Sequence, residues 1–444
     1  MFRRILIANR GEVVRRVLRT CRRLGVEAVV VYSSADRDAG YLEEADEAVC
    51  LGPPPSARSY LDRLAVVQAA RQTGCSAIHP GWGFLSEDPL FAELCTQCGL
   101  TFVGPTPHVM RLMGRKVSAR RAAAAAGLDP IPGSPGILAS AAEARAVADE
   151  VGYPVILKAD AGGGGRGMRR CDAPEGIEEA FNLASAEAEA AFASGALYLE
   201  RYLEGGRHIE FQVLVDTYGN AIHVGERECS IQRKHQKLIE ESPSPALPPE
   251  VLAEAGVRAA QAAARVGYVG AGTLECLLDD SGALRFMEMN ARLQVEHPVS
   301  ELRSGIDLVE QQLRIAANER LALSQADVQL TGSAIELRLN AEDPEHDFRP
   351  DPGTISRLRW PEGVRVESHI REGYRIPPYY DSLIAKLIVH AADRPAAIQA
   401  ALQALDDLVL EGVHTTAPLL RAVLSSEAFG SGAYDVRSLP GWEH

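Results

Sequence analysis

The sequence predicts an α/β protein, α+β in its overall arrangement, and three observations carry that expectation. Short apolar runs alternate with helix-spaced runs through the first hundred residues, the pattern of a doubly wound parallel sheet. A Pro/Gly cluster, Asp129-Pro130-Ile131-Pro132-Gly133, then interrupts that pattern. Beyond it come apolar and alternating runs joined by turn residues, which imply antiparallel strands; the clearest lies between Thr273 and Glu296.

In chain order, a strand over 4–8, a helix over 12–24 and a strand over 27–32 make a βαβ unit. A strand over 48–51, helix over 60–73, strand over 77–79, helix over 89–99 and strand over 101–104 extend it into a Rossmann-like layer. Its first turn, Asn9-Arg10-Gly11-Glu12, lacks G-x-G-x-x-G, so dinucleotide binding is not expected there. One long helix over 106–127 leads to the Pro/Gly cluster. Residues from about 131 to 203 then form a compact segment: helix 141–151, strand 153–158, a glycine loop, helix 174–193 and strand 196–202. Antiparallel strands over 208–215 and 220–228 follow, then a loop over 230–249, helix 249–266, the hairpin, and helix 305–318. Strands near 334–340, 354–360 and 364–370, closed by helix 394–411, suggest a third unit. The expected division is 1–114, 115–329 (with a mobile lid at about 131–203) and 330–444.

Composition narrows the function classes. The chain has 444 residues, 46% apolar and 24% charged, and a net charge of −14. So acidic a surface argues against a nucleic-acid partner, and any anion must be held by a few local cations. Of 46 cationic residues only five are lysines: Lys116, Lys158, Lys234, Lys237 and Lys386. Each survivor hints at a site that wants a compact ammonium rather than a planar fork. Eight scattered cysteines, with one C-x-x-C at Cys95 and Cys98, offer no zinc spacing and point to packing in a reducing compartment. No run of 18 apolar residues occurs and Met1 leads almost directly into a strand, so a cytoplasmic protein without membrane contact is expected.

The chemistry concentrates in five runs. If the turn Asp279-Asp280-Ser281-Gly282 is centred on Ser281-Gly282, Glu275 falls opposite Glu288. Opposed carboxylates that close call for a cation between them, and hard oxygen ligands suit Mg²⁺. The second strand, taken as far as Glu296, places Glu288, Asn290, Arg292, Gln294 and Glu296 on one face. Lys158 is followed by Gly162-Gly163-Gly164-Gly165, whose backbone can wrap a polyphosphate, without the Gly-Lys-Ser/Thr of a Walker A loop. The cluster Glu226 to Lys237 suggests a local anion site, although alone it fits a solvated loop. Arg338 sits on a strand amid charge, and Pro377-Pro378-Tyr379-Tyr380-Asp381 forms an aromatic turn.

Together with IANRGE from Ile7, HPGWGFLSE from His79 and EMNARLQVEH from Glu288, these runs resemble biotin carboxylase, an ATP-grasp enzyme, along essentially the whole chain. The resemblance implies carboxylation of biotin with ATP and bicarbonate through carboxyphosphate, the first half-reaction of acetyl-CoA carboxylase or of a related acyl-CoA or pyruvate carboxylase. It implies ATP contacts at Lys116, Lys158, Gly163, Gly164, Gly165, Glu200, Arg201, Leu203, His208, Gln232 and His235. Glu275 and Glu288, with Asn290 nearby, would bind Mg²⁺ (or Mn²⁺). Lys237 and Arg292 would hold bicarbonate, Glu296 would take its proton, and Arg338 would stabilise the ureido oxygen of biotin. A homodimer is implied. Because no Met-Lys-Met occurs, a biotin carboxyl carrier protein and carboxyltransferase subunits are expected on separate chains.

Four positions depart from the pattern: Asp160, Ala161, Arg201 and Arg115. None falls on a catalytic role. The alternatives are another ATP-grasp ligase of carbamoyl-phosphate type, and a silent scaffold that only docks a carrier.

Overall fold

The first helix shows how the N-terminal layer assembles. Val13, Val14, Val17, Leu18 and Cys21 bury one face of Glu12–Leu24, and Gly25 ends the helix at φ +69°, which a β-carbon would strain. In the computed structural model, which describes residues 1–161 and 167–442, this helix covers a five-stranded parallel sheet. The sheet order is Glu47–Gly52, Glu27–Ser33, Arg4–Ile7, Ala77–His79, Thr101–Phe102, as a doubly wound topology requires.

The expected helix over 106–127 is two helices. Thr106 caps Pro107–Gly114, Arg115 is extended (φ −103°, ψ 124°), and Lys116–Ala125 begins afresh. Gly114 marks the break, where a residue of low helix propensity ends the first segment. The break puts Lys116 at the first position of a helix, aimed into the site.

Residues 131–203 carry a three-stranded antiparallel sheet, with Val155–Ala159 between Arg169–Cys171 and Leu197–Arg201. Helices Ala141–Val151 and Ile177–Phe192 pack on it around Ala144, Ala148, Ala184 and Ala188. Gly163, Gly164 and Gly165 lie outside the described residues.

An eight-stranded antiparallel sheet is the backbone of the site. Its order is Leu284–Asn290, Gly270–Leu278, Arg207–Val215, Ala221–Arg233, Gln236–Ser242, Ser333–Asn340, Leu383–Ala391, Arg365–Ser368. The segment 230–249, expected as a loop, is largely a hairpin of this sheet, with Lys234 and His235 at its tip at positive φ. Glu240 and Glu241 are buried against neighbouring strands, which periodicity alone did not reveal. Helix His297–Ser304 and strand Leu383–Ala391 were not anticipated; the latter reads LIAKLIVHA, buried on both faces and so without alternation. Ile5, Val14 and Val30 share one core with Ile335, Leu387 and Leu420, so the parallel layer packs on the C-terminal end of the large sheet.

Candidate active site

Thr273–Asn290 and Glu275–Glu288 are opposed as expected, but for a different reason. The turn is one residue longer than assumed: Asp279 and Ala283 close it, and Cys276 pairs with Phe286. A bulge between Glu275 and Cys276 absorbs the odd residue and restores the pairing of the glutamates. The strand also stops at Asn290, so Arg292, Gln294 and Glu296 do not lie on one strand face. They occupy a loop that curls back, and Glu296 precedes helix His297–Ser304.

That curl places Glu296 at the centre of a buried charge network. Lys237 Nζ donates to Glu296 Oε1 at 2.6 Å, Glu210 Oε2 at 2.6 Å and Glu275 Oε1 at 2.9 Å. The other oxygen, Glu296 Oε2, accepts from Arg338 Nη2 at 2.9 Å, and Arg338 Nε donates to Glu240 Oε1 at 2.6 Å. Arg227 closes the network from behind, donating to Glu210 at 2.6 Å, Gln212 at 2.8 Å and Ser300 at 2.9 Å.

Burial opposes ionisation of Glu296, yet Lys237, Arg338 and Arg227 hold its carboxyl well below the usual carboxylate range. Glu275 is likewise lowered, burial being outweighed by Lys237 and His208. Lys237 is raised because its three carboxylates outweigh its burial.

A second group of contacts surrounds the metal and nucleotide candidates. His208 Nε2 stands 3.4 Å from Glu275 Oε2, and the ligand atoms of His208, Glu210 and Glu275 lie within 4.8 Å of one another. With Glu288 opposite, this carboxylate-rich pair of strands fits a hard divalent cation. Lys116 Nζ donates to Glu288 Oε2 at 3.1 Å, and Lys158 Nζ to Glu200 Oε2 at 2.5 Å; Arg120 holds the other oxygen of Glu200. Arg292 links Glu87 (2.9 Å), Asn290 (2.9 Å) and Gln294 (2.9 Å), and Gln294 Nε2 continues to Glu275 at 3.0 Å.

Other predicted residues stand further out. Gln232 pairs with Lys237 across the hairpin, His235 is exposed at its tip, and Leu203 is half-buried. Arg201 is exposed at the end of its strand, its backbone N–H donating to Pro132. Sequence reading missed Glu210, Arg227, Glu240, Glu87 and Arg120. The alternation of His208, Glu210 and Gln212 along one strand carried a signal for Glu210, while Arg227 and Glu87 lie within the runs Glu226 to Lys237 and His79 to Glu87 already singled out.

Comparison with known proteins covers nearly the whole chain. Residues 1–110 match the family model for the biotin carboxylase N-terminal domain, 115–324 that for the carbamoyl-phosphate synthase L chain ATP-binding domain, and 336–440 that for the biotin carboxylase C-terminal domain. Biotin carboxylase of Nostoc sp. is 50% identical over 97% of each chain. Biotin carboxylase 1 of Bacillus subtilis is 48% identical over 99% of this chain and 98% of its own. Among solved structures, a biotin carboxylase–nucleotide complex from Campylobacter jejuni superposes with a TM-score of 0.95 at 46% identity, covering 99% and 98% of the two chains. The biotin carboxylase domain dimer of Hydrogenobacter thermophilus 2-oxoglutarate carboxylase, solved with MgADP, ADP and bicarbonate, gives 0.94 at 47% identity, covering 99% and 97%. Two biotin carboxylase models flank the ATP-binding module in chain order, and likeness extends over nearly the full length of both partners: the chain belongs to the biotin carboxylase family of ATP-grasp enzymes.

Proposed function

We propose that this chain carboxylates biotin in an ATP-dependent reaction, taking the carboxyl group from bicarbonate through carboxyphosphate and releasing ADP and phosphate. The observation that carries the reading is Glu296, a buried carboxylate bonded at one oxygen by Lys237 and at the other by Arg338. A carboxylate kept ionised between two cations is a base ready to take one proton from an anion that those cations attract.

Lys237 and Arg292 hold bicarbonate beside Glu296, which takes its proton as the carboxylate oxygen attacks the γ-phosphorus. Lys116, Lys158, Glu200, Arg201, Leu203, His208, Gln232 and His235, with Gly163 to Gly165, hold the nucleotide. Mg²⁺ bound by Glu275 and Glu288, with Asn290 nearby, screens the charge that builds between phosphate and carboxylate. Arg338 then stabilises negative charge on the ureido oxygen of biotin as N1′ becomes nucleophilic. The protein's own contribution is placement and fixed charge in a water-poor site, which carboxyphosphate requires.

The wider assignment follows from the same reading. The protein works in the cytoplasm as a homodimer on a biotin carboxyl carrier protein, with carboxyltransferase subunits on separate chains. It supplies the first half-reaction of acetyl-CoA carboxylase in fatty acid synthesis. Its functional division is 1–114, 115–329 with a lid at about 131–203, and 330–444. Among the described residues, no helix is long and apolar enough to cross a membrane.

The test is ADP release from purified protein with Mg·ATP and bicarbonate, with and without free biotin. Strong stimulation by biotin, lost in Glu296→Ala, is expected. Turnover indifferent to biotin would instead indicate another ATP-grasp ligase.

A further inference from the structure

Lys386 takes no part in the roles proposed above, yet it is one of the chain's five lysines and is fully buried, with 0% exposure. It lies opposite Arg338 in register, on the adjacent strand Leu383–Ala391. Its Nζ donates to the carbonyl of Val295 at 2.6 Å and stands 3.3 Å from Glu12 Oε2. Glu12 is also buried, and its other oxygen accepts from Trp82 Nε1 at 3.0 Å. Val295 immediately precedes Glu296, in a stretch outside helix and strand.

We infer that Lys386 is a positioning residue for the base: by anchoring the Val295 carbonyl, it sets where the Glu296 carboxylate can sit between Lys237 and Arg338. This rests on the reading of Glu296 as the base. The physical case is one of cost. A buried ammonium is expensive unless its donors and its charge are both satisfied. Here the carbonyl takes one N–H and the Glu12 carboxylate balances the charge, and the carbonyl belongs to the residue before the base. A strand or helix would have held that loop by its own backbone ladder; outside one, its carbonyl needs a side-chain donor. The single short contact suits an ammonium on a straight stem better than a guanidinium fork. Glu12 supplies the counter-charge from the first helix of the N-terminal layer. The placement of the base therefore depends on packing between that layer and the large sheet.

The test compares Lys386→Met, Glu12→Gln, Glu296→Gln and the double variant Lys386→Met/Glu296→Gln in the full chain. It reads kcat and KM for bicarbonate in biotin-dependent ADP release, the Kd for Mg·ATP, and the thermal midpoint. Lys386→Met is expected to keep its Mg·ATP affinity within about twofold while kcat falls about 10- to 100-fold, the cost of a misplaced reacting group. Glu12→Gln should show a smaller loss of the same kind. Added to Glu296→Gln, Lys386→Met should cost less than about twofold more, because both changes remove one function. Losses that multiply in the double variant, or a fall in nucleotide affinity in step with kcat, would show that Lys386 only packs, and would overturn the inference. Unchanged activity in Lys386→Met would do the same. If Lys386→Met does not fold, Glu12→Gln alone and with Glu296→Gln carries the same comparison. Wild-type activity in Glu296→Gln would be a different failure, that of Glu296 as the base.

Discussion

Arg115 and Asp160 meet at 3.4 Å, and Asp160 also accepts from the backbone N–H of Val117 at 2.9 Å. Both are departures from the pattern of biotin carboxylases noted in the sequence, and the structure makes them partners. Asp160 is buried and satisfies one of the orphan donors that open the helix Lys116–Ala125. Asp160→Ala should cost about 1 kcal/mol, the usual price of a lost cap, whereas Asp160→Ser should cost less. Arg115→Glu should destabilise more in the wild type than beside Asp160→Ser, since only the wild type then opposes two carboxylates. Denaturant midpoints of the five proteins check this.

Lys237 and Glu296 set the acid behaviour of the site. A carboxyl whose folded pKa is depressed contributes stability that is fully present above its unfolded value, about 4.3, and is lost as pH falls through the folded value. Glu296 is such a group. Measured in the Glu240→Gln background, the difference in thermal midpoint that Glu296→Gln makes should therefore stay level at neutral pH and shrink only in acid. Glu296→Ala should lower kcat/KM for bicarbonate by about 10²- to 10⁴-fold, the range for a lost general base.

Glu240 behaves in the opposite sense. Burial pushes its carboxyl up to about 7, with Arg338 pulling it down and the Glu296 charge pushing it up. Between its unfolded value, about 4.3, and about 7 the native state then binds the extra proton, so this group's contribution to stability falls as pH rises. The thermal midpoint of wild type minus that of Glu240→Gln should decline across that window and level off above it. A difference that rises with pH would contradict the assignment.

Glu288 allows the metal reading to be tested apart from folding. Its side chain is 41% exposed and pairs only with Lys116 among the described contacts. Glu288→Gln should leave the thermal midpoint unchanged while raising the Mg²⁺ concentration needed for half-maximal turnover about tenfold or more. Chelation should abolish ADP release in the wild type, and Mg²⁺ should restore it.

Glu200 ties the 131–203 segment to the rest of the proposed nucleotide site. It is buried, with Lys158 on one oxygen and Arg120 on the other. Glu200→Gln leaves two cations facing a neutral amide, and breaking a buried pair this way costs about 3–5 kcal/mol. A lowered thermal midpoint together with a raised KM for ATP is the expected result.

The sequence by itself determined the class, the parallel N-terminal layer and several of the residues that gather at the candidate site. Strand over 77–79 and helices over 12–24 and 141–151 were legible to the residue, because local periodicity and caps report directly on backbone state. It also named the opposed glutamates, Lys237, Glu296 and Arg338. Only the tertiary structure decided how these meet. The bulge after Glu275, the break at Arg115 and the early end of the strand at Asn290 are invisible to a period count, because each is settled by what packs against the chain. The strand residues within 230–249 read as a loop for the same reason. Their charges are satisfied by strands distant in sequence, and Glu210, Arg227 and Glu240 become site residues only when the sheet brings those strands side by side.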